Sequence, residues 1–406
     1  MALDPNQQLQ APSTLVTQSQ GNPLAIDPLN GSSSSQPEIQ AARNPNTLFN
    51  KPFPDFNNDG NSDIFWRNPQ NQGGDPYSTS NNAVWLENGN NPATGAYLQT
   101  LDSNWNFSFA DFNGDGKSDI FWNNSATGEN KIWLIDGSTI TNATDASQNI
   151  DSPGTGWSPT IADFNGDNKT DILWRNSTTG ENQIWLMDGT TISSKNTVTA
   201  LGTEWSPTIV DFNGDRRADI LWRNSQTGEN LAWIENDATP GNFDATFLPT
   251  LDTAFTPNVG DFNGDGKSDI LWRNTQTGEN AYWIMDGATA TGYAEPTLST
   301  AWTPRIGDFN GDGRTDVFWR NTQTGGNAVW ISDNTTGTSP TGYSLPTLST
   351  DWTEDFGDFN GDKRTDIFWR NTSTGQNAIW TSADTTGSNF TGAFAPTLPT
   401  AWQNYS

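Results

Sequence analysis

An acidic nine-residue stretch recurs seven times along this chain, beginning at Asp55, Asp111, Asp163, Asp211, Asp261, Asp308 and Asp358. The second copy reads Asp111-Phe112-Asn113-Gly114-Asp115-Gly116-Lys117-Ser118-Asp119. Successive copies start 47 to 56 residues apart. That period matches one four-stranded propeller blade and is too long for most solenoid repeats. The expected fold is therefore all-β, a seven-bladed β-propeller with four-stranded antiparallel blades over residues 47–406. Residues 1–46, rich in Gln, Asn, Ser and Pro and without apolar periodicity, read as a low-complexity N-terminal arm or linker.

Oxygen side chains stand at fixed places in every copy. Position 1 is always Asp, and position 3 is Asn57, Asn113, Asn165, Asn213, Asn263, Asn310 and Asn360. Position 5 is Asp59, Asp115, Asp167, Asp215, Asp265, Asp312 and Asp362, and position 9 is Asp63, Asp119, Asp171, Asp219, Asp269, Asp316 and Asp366. Position 7 offers its main-chain carbonyl between them, from Asn61, Lys117, Lys169, Arg217, Lys267, Arg314 and Arg364. Ca²⁺ takes about six to eight oxygens at about 2.3–2.6 Å and tolerates irregular geometry. The seven loops are thus predicted calcium sites, one ion each. A plain turn requires Gly or Asn at one or two places, not four fixed oxygen side chains. Position 6, where turn chemistry should be felt, varies among Gly60, Gly116, Asn168, Arg216, Gly266, Gly313 and Lys363. An EF-hand is excluded, because its bidentate Glu at position 12 is replaced by Trp in every copy, from Trp66 to Trp369.

The formal net charge is −28, and one divalent ion in each of seven loops would halve it. Such acidity argues against a nucleic-acid partner, whose phosphates require a basic surface. The chain has no Cys and no His, which removes disulfides, thiolate sites, the usual zinc ligand and the commonest general base. No apolar run approaches the length of a membrane span, so no membrane insertion is expected. The N-terminus lacks the basic and apolar regions of a secretory signal. Weak calcium sites fill where calcium is about millimolar. An extracellular or cell-surface location is expected, by an export route the sequence does not identify.

Aromatic and β-branched runs punctuated by Asn, Gly and Pro predict strands. In the third unit these are Trp157 to Ala162, Asp171 to Asn176, Asn182 to Met187 and a less regular strand around Thr197 to Leu201. The second strand is apolar on both faces, as required of a blade covered by neighbours on each side. Small residues before the loops, such as Ala110, Ala162, Gly260 and Gly307, mark the first strand as the innermost. All 20 Trp residues fall at three repeat positions. Seven follow the loops and seven lie in the third strand, and both sets read as inter-blade core; six open the units, with Phe255 in the remaining place. Arg follows the loop Trp at Arg67, Arg175, Arg223, Arg273, Arg320 and Arg370, with Asn123 as the exception. Its expected partners are carbonyls or a loop carboxylate between blades.

The loop, the period and the count together resemble the FG-GAP-like, VCBS-type repeat proteins, which include the seven-bladed propeller of integrin α subunits. The resemblance covers about residues 47–406, although the Phe-Gly and Gly-Ala-Pro motifs that name the family are not evident. It implies calcium in the hairpin between the first two strands of a blade, with Asp55, Asn57, Asp59, Asp63 and their counterparts as side-chain ligands. It also implies a non-enzymatic binding or adhesion module for a protein or glycan. Mushroom lectins of similar plan keep sugar sites near loop aromatics such as Trp205 and Trp302 as an alternative. A structural subunit assembling with its own kind through the N-terminal arm is another, and a carboxylate-based polysaccharide lyase or hydrolase a fourth reading.

Overall fold

Short apolar runs separated by chain-reversing residues have one way to bury both faces, which is to stack as small sheets. A computed structural model of the protein describes residues 53–68, 81–88, 94–235 and 241–405, and the arm expected over residues 1–46 lies outside these. Its strands form seven four-stranded antiparallel sheets. Blade 3 is representative, with Trp157–Ala162, Asp171–Asn176, Asn182–Asp188 and Thr191–Val198 paired in that order. The outer strand lies earlier than the sequence suggested. Gly189 takes a positive φ of 61°, so the chain reverses at once and Asp188 pairs with Thr191.

Blade 1 is closed by the far end of the chain. Gln403–Tyr405 pairs with Phe65, Trp66 and Arg67, the places that the first strand of other blades occupies. The remainder of that strand comes from the N-terminal side, where the Asp63 N–H donates to the Pro54 carbonyl at 2.5 Å. The innermost strand of blade 1 is thus a composite of both ends of the described chain. Blade 2 departs differently: its outer strand is only Asn149–Ile150, preceded by the single-turn helix Asp145–Gln148. Gln148 is buried there and accepts the indole N–H of Trp133 at 3.1 Å.

The core is divided among the junctions. Seven apolar clusters occur among the described residues, and each draws on two adjacent blades. One of them joins Phe359 and Phe368 of blade 7 to Ile64 and Trp66 of blade 1, which closes the ring. The seven Trp residues after the loops are all fully buried. Each packs on the third-strand Trp of its own blade, as Trp66 does on Trp85 at 4.8 Å and Trp174 on Trp185 at 5.5 Å between ring centroids. Their indole nitrogens have no hydrogen-bond partner, so packing rather than polar contact holds these rings.

Six Arg residues stitch the junctions at one end of the blades. The guanidinium carbons of Arg67, Arg175, Arg223, Arg273, Arg320 and Arg370 stand 4.9–5.3 Å from the Trp ring centroid of the following blade. Their N–H groups donate to carbonyls: Arg320 reaches those of Gly325, Ser349 and Trp352 at 2.8–2.9 Å, and the Asn327 side chain at 2.9 Å. Arg thus acts as a structural clamp, and its partners are the carbonyls of the expected alternatives.

Replacing Trp369 with Ala is expected to cost about 3–5 kcal/mol, the usual loss for a buried Trp, measured by denaturant unfolding. Truncation before Gln403 should lower the melting temperature markedly, because it removes the strand that closes the ring. Deletion of residues 1–46 should leave it nearly unchanged.

Candidate metal centre

Every acidic loop joins the innermost strand to the second strand of its blade, and its shape comes from two reversals. Position 4 has a positive φ in all seven loops, Gly in six and Asn58 in the first. Position 6 also has a positive φ in all seven, from 63° to 87°. Asn168, Arg216 and Lys363 adopt it despite their Cβ atoms, at a cost of about 1–2 kcal/mol each. The sequence variation at position 6 therefore hides a constant backbone conformation that the loop imposes.

The loop oxygens turn inward onto this backbone. In loop 2, Asp111 accepts the N–H groups of Gly114, Asp115 and Gly116 at 2.7–3.2 Å. Asn113 accepts the N–H of Asp115 at 3.0 Å and donates to its Oδ2 at 3.1 Å, and Asp115 accepts the N–H of Lys117 at 2.9 Å. Loops 4, 5 and 6 repeat these bonds at nearly the same lengths. Asp119 at position 9 is fully buried and uses both oxygens, accepting the N–H groups of Phe112 and Ile135 at 2.9 Å. Its counterparts do the same, so position 9 anchors the loop to the third strand.

Six of the seven loops fall into two classes at position 7, while in loop 1 Asn61 donates its side-chain N–H to Asp59 at 2.9 Å. The Nζ atoms of Lys117 and Lys169 reach Asp136 and Asp188 at 2.6–2.7 Å, and Lys267 likewise reaches Asp286, all at or just beyond the end of the third strand. Arg217, Arg314 and Arg364 instead pair with the position-5 carboxylate of their own loop, Asp215, Asp312 and Asp362, at 2.5–2.7 Å.

Neighbouring loops are tied in a closed belt that the sequence reading did not anticipate. The N–H at position 8 donates to the position-1 carbonyl of the preceding loop at every junction, at 2.6–2.8 Å, including Ser62 to Asp358 across the closure. The hydroxyls of Ser62, Ser118, Thr170, Ser268, Thr315 and Thr365 accept the position-1 N–H in return, at 2.9–3.1 Å. Ala218 stands at this place opposite Asp163 and has no hydroxyl. The recurrence of Ser or Thr at position 8 was the available signal. The contact also explains the small residues before the loops: a Cβ on Gly260 would lie 2.5 Å from Thr315 Cγ2.

Burial raises the position-9 carboxyls far above the ordinary range. It pushes Asp63, Asp219 and Asp269 up to about 8, Asp119, Asp171 and Asp366 to about 7, and Asp316 well up, against the pull of the backbone N–H bonds. Asp308 at position 1 is raised by burial to about 6. No group of three or more His, Cys, Asp or Glu side chains among the described residues is arranged so as to hold a metal ion. The donor chemistry nonetheless fits a hard cation: a carboxylate has about four acceptor sites, and the position-5 carboxylates of Asp59, Asp115, Asp167 and Asp265 are exposed, above half-buried position-3 side chains.

Of the opening aromatics, Trp105, Trp205 and Trp402 are buried, whereas Trp157, Trp302 and Trp352 are half-buried. Trp205 belongs to the core between blades 3 and 4. Exposed rings that sequence reasoning missed stand on the outer strands, with Phe247 67% and Phe394 59% exposed.

Two measurements follow. Thr365→Ala is expected to cost about 0.5–1.5 kcal/mol by removing one hydrogen bond of the belt, read by chemical denaturation. In metal-free protein the raised carboxyls favour the protonated form. Their contribution is complete below the unfolded value near pH 4 and is lost as pH rises through about 7 to 8. The melting temperature in chelator should accordingly fall between pH 5 and pH 8.

Comparison with known proteins accords with this geometry. No curated protein matches the chain. Among solved structures, an Agrocybe aegerita lectin that recognises non-reducing terminal N-acetylglucosamine is similar, with a TM-score of 0.61 at 14% identity, covering 84% of this chain and 92% of the lectin. A Lactobacillus plantarum protein gives a TM-score of 0.51 at 14% identity, covering 85% and 99%. A Bacteroides uniformis protein assigned as a 6-phosphogluconolactonase gives 0.52 at 13% identity, covering 84% and 98%. At such identities the likeness is one of fold. The FG-GAP-like repeat matches six overlapping segments, 55–122, 111–174, 163–222, 211–272, 261–319 and 308–369. Each begins at the first Asp of one acidic loop and ends at the Trp that follows the next, and on that match the chain belongs to the FG-GAP-like repeat family.

Proposed function

We propose that the protein is a non-enzymatic, calcium-binding β-propeller that acts as an extracellular binding or adhesion module for a protein or glycan. The observation that carries this reading is the sevenfold acidic loop, held in one backbone shape by a closed belt of hydrogen bonds. In each loop the side chains of positions 1, 3 and 5 and the carbonyl of position 7 would hold the ion, with position 9 beneath them. A bound Ca²⁺ supplies positive charge where three carboxylates otherwise repel one another. The chain's own part is to pre-shape the loop, as the two positive-φ reversals do, and to fix it to the blade through the position-9 Asp. The loop acids are bound up in these contacts and the chain has no His, which disfavours a hydrolase or lyase. Calcium of about millimolar concentration is extracellular, and an arm outside the propeller would serve assembly.

Sugar binding is the second reading. It is favoured by half-buried rings at the ends of the blades away from the loops, Trp302 and Trp352, and by the fold shared with the lectin. A glycan array run with calcium separates the two, since a sugar hit abolished by Trp302→Ala without loss of stability selects the lectin.

Calorimetric titration of calcium into metal-stripped protein tests the main reading. Seven ions per chain are expected, one for each loop, in two classes. The loops at Asp211, Asp308 and Asp358 should be weaker, because an Arg must release the position-5 carboxylate first. A site filled at a hundred times its dissociation constant stabilises by about 2.7 kcal/mol. Asp115→Ala, Asp167→Ala and Asp265→Ala should therefore lower the melting temperature in steps, and magnesium should restore it poorly. The gap between calcium and chelator should widen with pH, since protons compete for the ligands. Absence of uptake, or a melting temperature indifferent to chelation, refutes the proposal.

A further inference from the structure

The chain holds one more opening aromatic than the ring has blades. Six residues before the first Asp of every loop stands an aromatic, and in the first unit it is Phe49. Trp402 is the eighth, and the residues after it fill places in blade 1 that the repeat spacing assigns to the successors of Phe49. Asn404 pairs with Trp66 as Pro159 pairs with Trp174, and Tyr405 pairs with Phe65 as Thr160 pairs with Leu173. Counted back from Asp55, these are the places of Lys51 and Pro52. The composite strand thus passes from one end of the chain to the other between Tyr405 and Phe53, and it has no room for residues 49–52.

The point at which the chain enters this strand has one open side. Phe53 is buried and packs on Phe359 and Phe368 of blade 7, with ring centroids 5.1 and 5.8 Å apart. The opposite face of blade 1 is covered by blade 2. The second strand, Ile64–Arg67, lies along one edge, and the main chain of Tyr405 blocks the line of the strand itself. What remains is the inner edge, which faces the central channel of the ring. Whatever precedes Phe53 must reach it through that channel.

The channel wall is receptive beside this entry and closed elsewhere. Pro159, Pro207, Pro257 and Pro304 stand opposite the buried Trp in blades 3 to 6. Proline is tolerated in a strand where its nitrogen faces away from the paired neighbour, so these nitrogens face the channel and leave it no donor at that height. Blades 7, 1 and 2 carry Glu354, Asn404 and Phe107 there instead, each with a main-chain N–H on the inner edge. Among the described first strands the charged side chains are Arg305, Glu354 and Asp355. Both carboxylates belong to blade 7, next to the entry. Asp355 stands at the closure itself, accepting from Arg305 at 3.0 Å and from the Asn404 side chain at 2.7 Å. Lys51 is the one charged residue between positions 44 and 52, and its sign suits these carboxylates. Pro52 fixes its own φ near about −65° and holds Lys51 extended. The segment before Phe53 therefore continues the line of the strand toward the opening aromatics instead of reversing to the loops.

We propose that the central channel is occupied by this chain's own residues 47–52, which run beside Gln403–Tyr405, so that the N-terminal arm leaves the ring along its axis at the end opposite the acidic loops. The occupant follows from where the described chain begins, since residues 1–52 precede Phe53 and the channel is the way left open to it. A channel filled in this way is closed to a diffusible ligand, and the loop end is kept clear of the arm. The inference goes beyond the binding-module reading and requires no calcium.

The chain has no Cys, so engineered cysteine pairs in the full chain report the path without background. Asn50→Cys is combined with Thr208→Cys on the wall across the channel, or with Phe247→Cys on the outer rim. Thr47→Cys is combined with Ser206→Cys near the opening aromatics, or with Arg216→Cys at the loop end. Each variant is treated with a short bis-maleimide and read by mass spectrometry. Linkage within one chain is expected for 50 with 208 and for 47 with 206, and not for the other two pairs. Asn258→Cys alone, also on the channel wall, should react with a bulky maleimide several-fold faster once residues 1–52 are removed. Linkage of position 50 to the rim, linkage of position 47 to the loop end, or no linkage to the wall overturns the proposal. So does an unchanged labelling rate at Asn258→Cys in a folded truncated chain, and if that chain fails to fold the cross-links decide. Calcium uptake and sugar binding are read separately, so failure here leaves the proposed function standing, and the reverse holds as well.

Discussion

A sheet of four short strands with apolar residues on both faces cannot remain in water by itself. Each blade must be covered twice, and a row of blades would leave two apolar faces at its ends. Closing the row into a ring removes both. The seven inter-blade clusters are the direct expression of this requirement, and the cluster between blades 7 and 1 is its condition. The composite strand of blade 1 has its reason here as well. Hydrogen bonding Gln403–Tyr405 beside Ile64–Arg67 fastens the closure that the apolar surfaces demand. Stability is thereby a property of the ring, and local defects are shared among neighbours.

Apolar faces set the stacking but leave the angle and height of one blade on the next loosely fixed. Polar contacts at the two ends of the blades supply that precision. A first strand of six residues spans roughly 20 Å, with the acidic loop at one end and the opening aromatic at the other. At the loop end the belt joins position 8 to the preceding position 1, and at the far end the Arg clamps bond carbonyls of the following blade. Every blade but the second is held at top and bottom to the blade that follows it. The same belt fixes the orientation of the loops, so any ion-binding property is coupled to the packing of the ring rather than confined to a surface turn.

Much of this was legible in the sequence because repetition reveals period. The seven loops, the strands after them and the two buried Trp sets were read from residue types alone, since a large apolar ring at the same place in every blade has nowhere to go but the junction. Other features were hidden for physical reasons. A positive φ at position 6 is invisible when Arg216 or Lys363 occupies it, because the loop overrides the residue's preference. The outer strand of blade 3 was misplaced because one exposed edge imposes little pattern on its residues. The closing strand left a trace that was present but unread: Trp402 opens a unit that has no loop after it. Trp205 was offered as a sugar platform, yet its place beside the inter-blade cluster makes it core, because an opening aromatic is covered wherever the connection before it packs closely.

In a ring of repeats, what recurs is required by the ring, and what fails to recur is free to carry individual chemistry. Blade 2 concentrates the exceptions: Asn123 in place of Arg, an outer strand reduced to Asn149–Ile150, a one-turn helix, and Pro153 on the connection that leaves it. Asn123 and Pro153 face blade 3, whereas Gln148 of the helix bonds Trp133 and Gln99 on the side of blade 1. Ser152 bonds the Gly128 carbonyl as the Leu201 N–H bonds that of Gly180, and Gln148 satisfies an indole that other blades treat differently. A random defect would have no reason to be repaired so locally, since neighbouring interfaces could absorb it. The repair keeps the blade in the ring, and the ring can tolerate the missing clamp because six remain. The architecture thereby separates two tasks: recurrent residues hold the blades together, and the positions that do not recur are released from that duty.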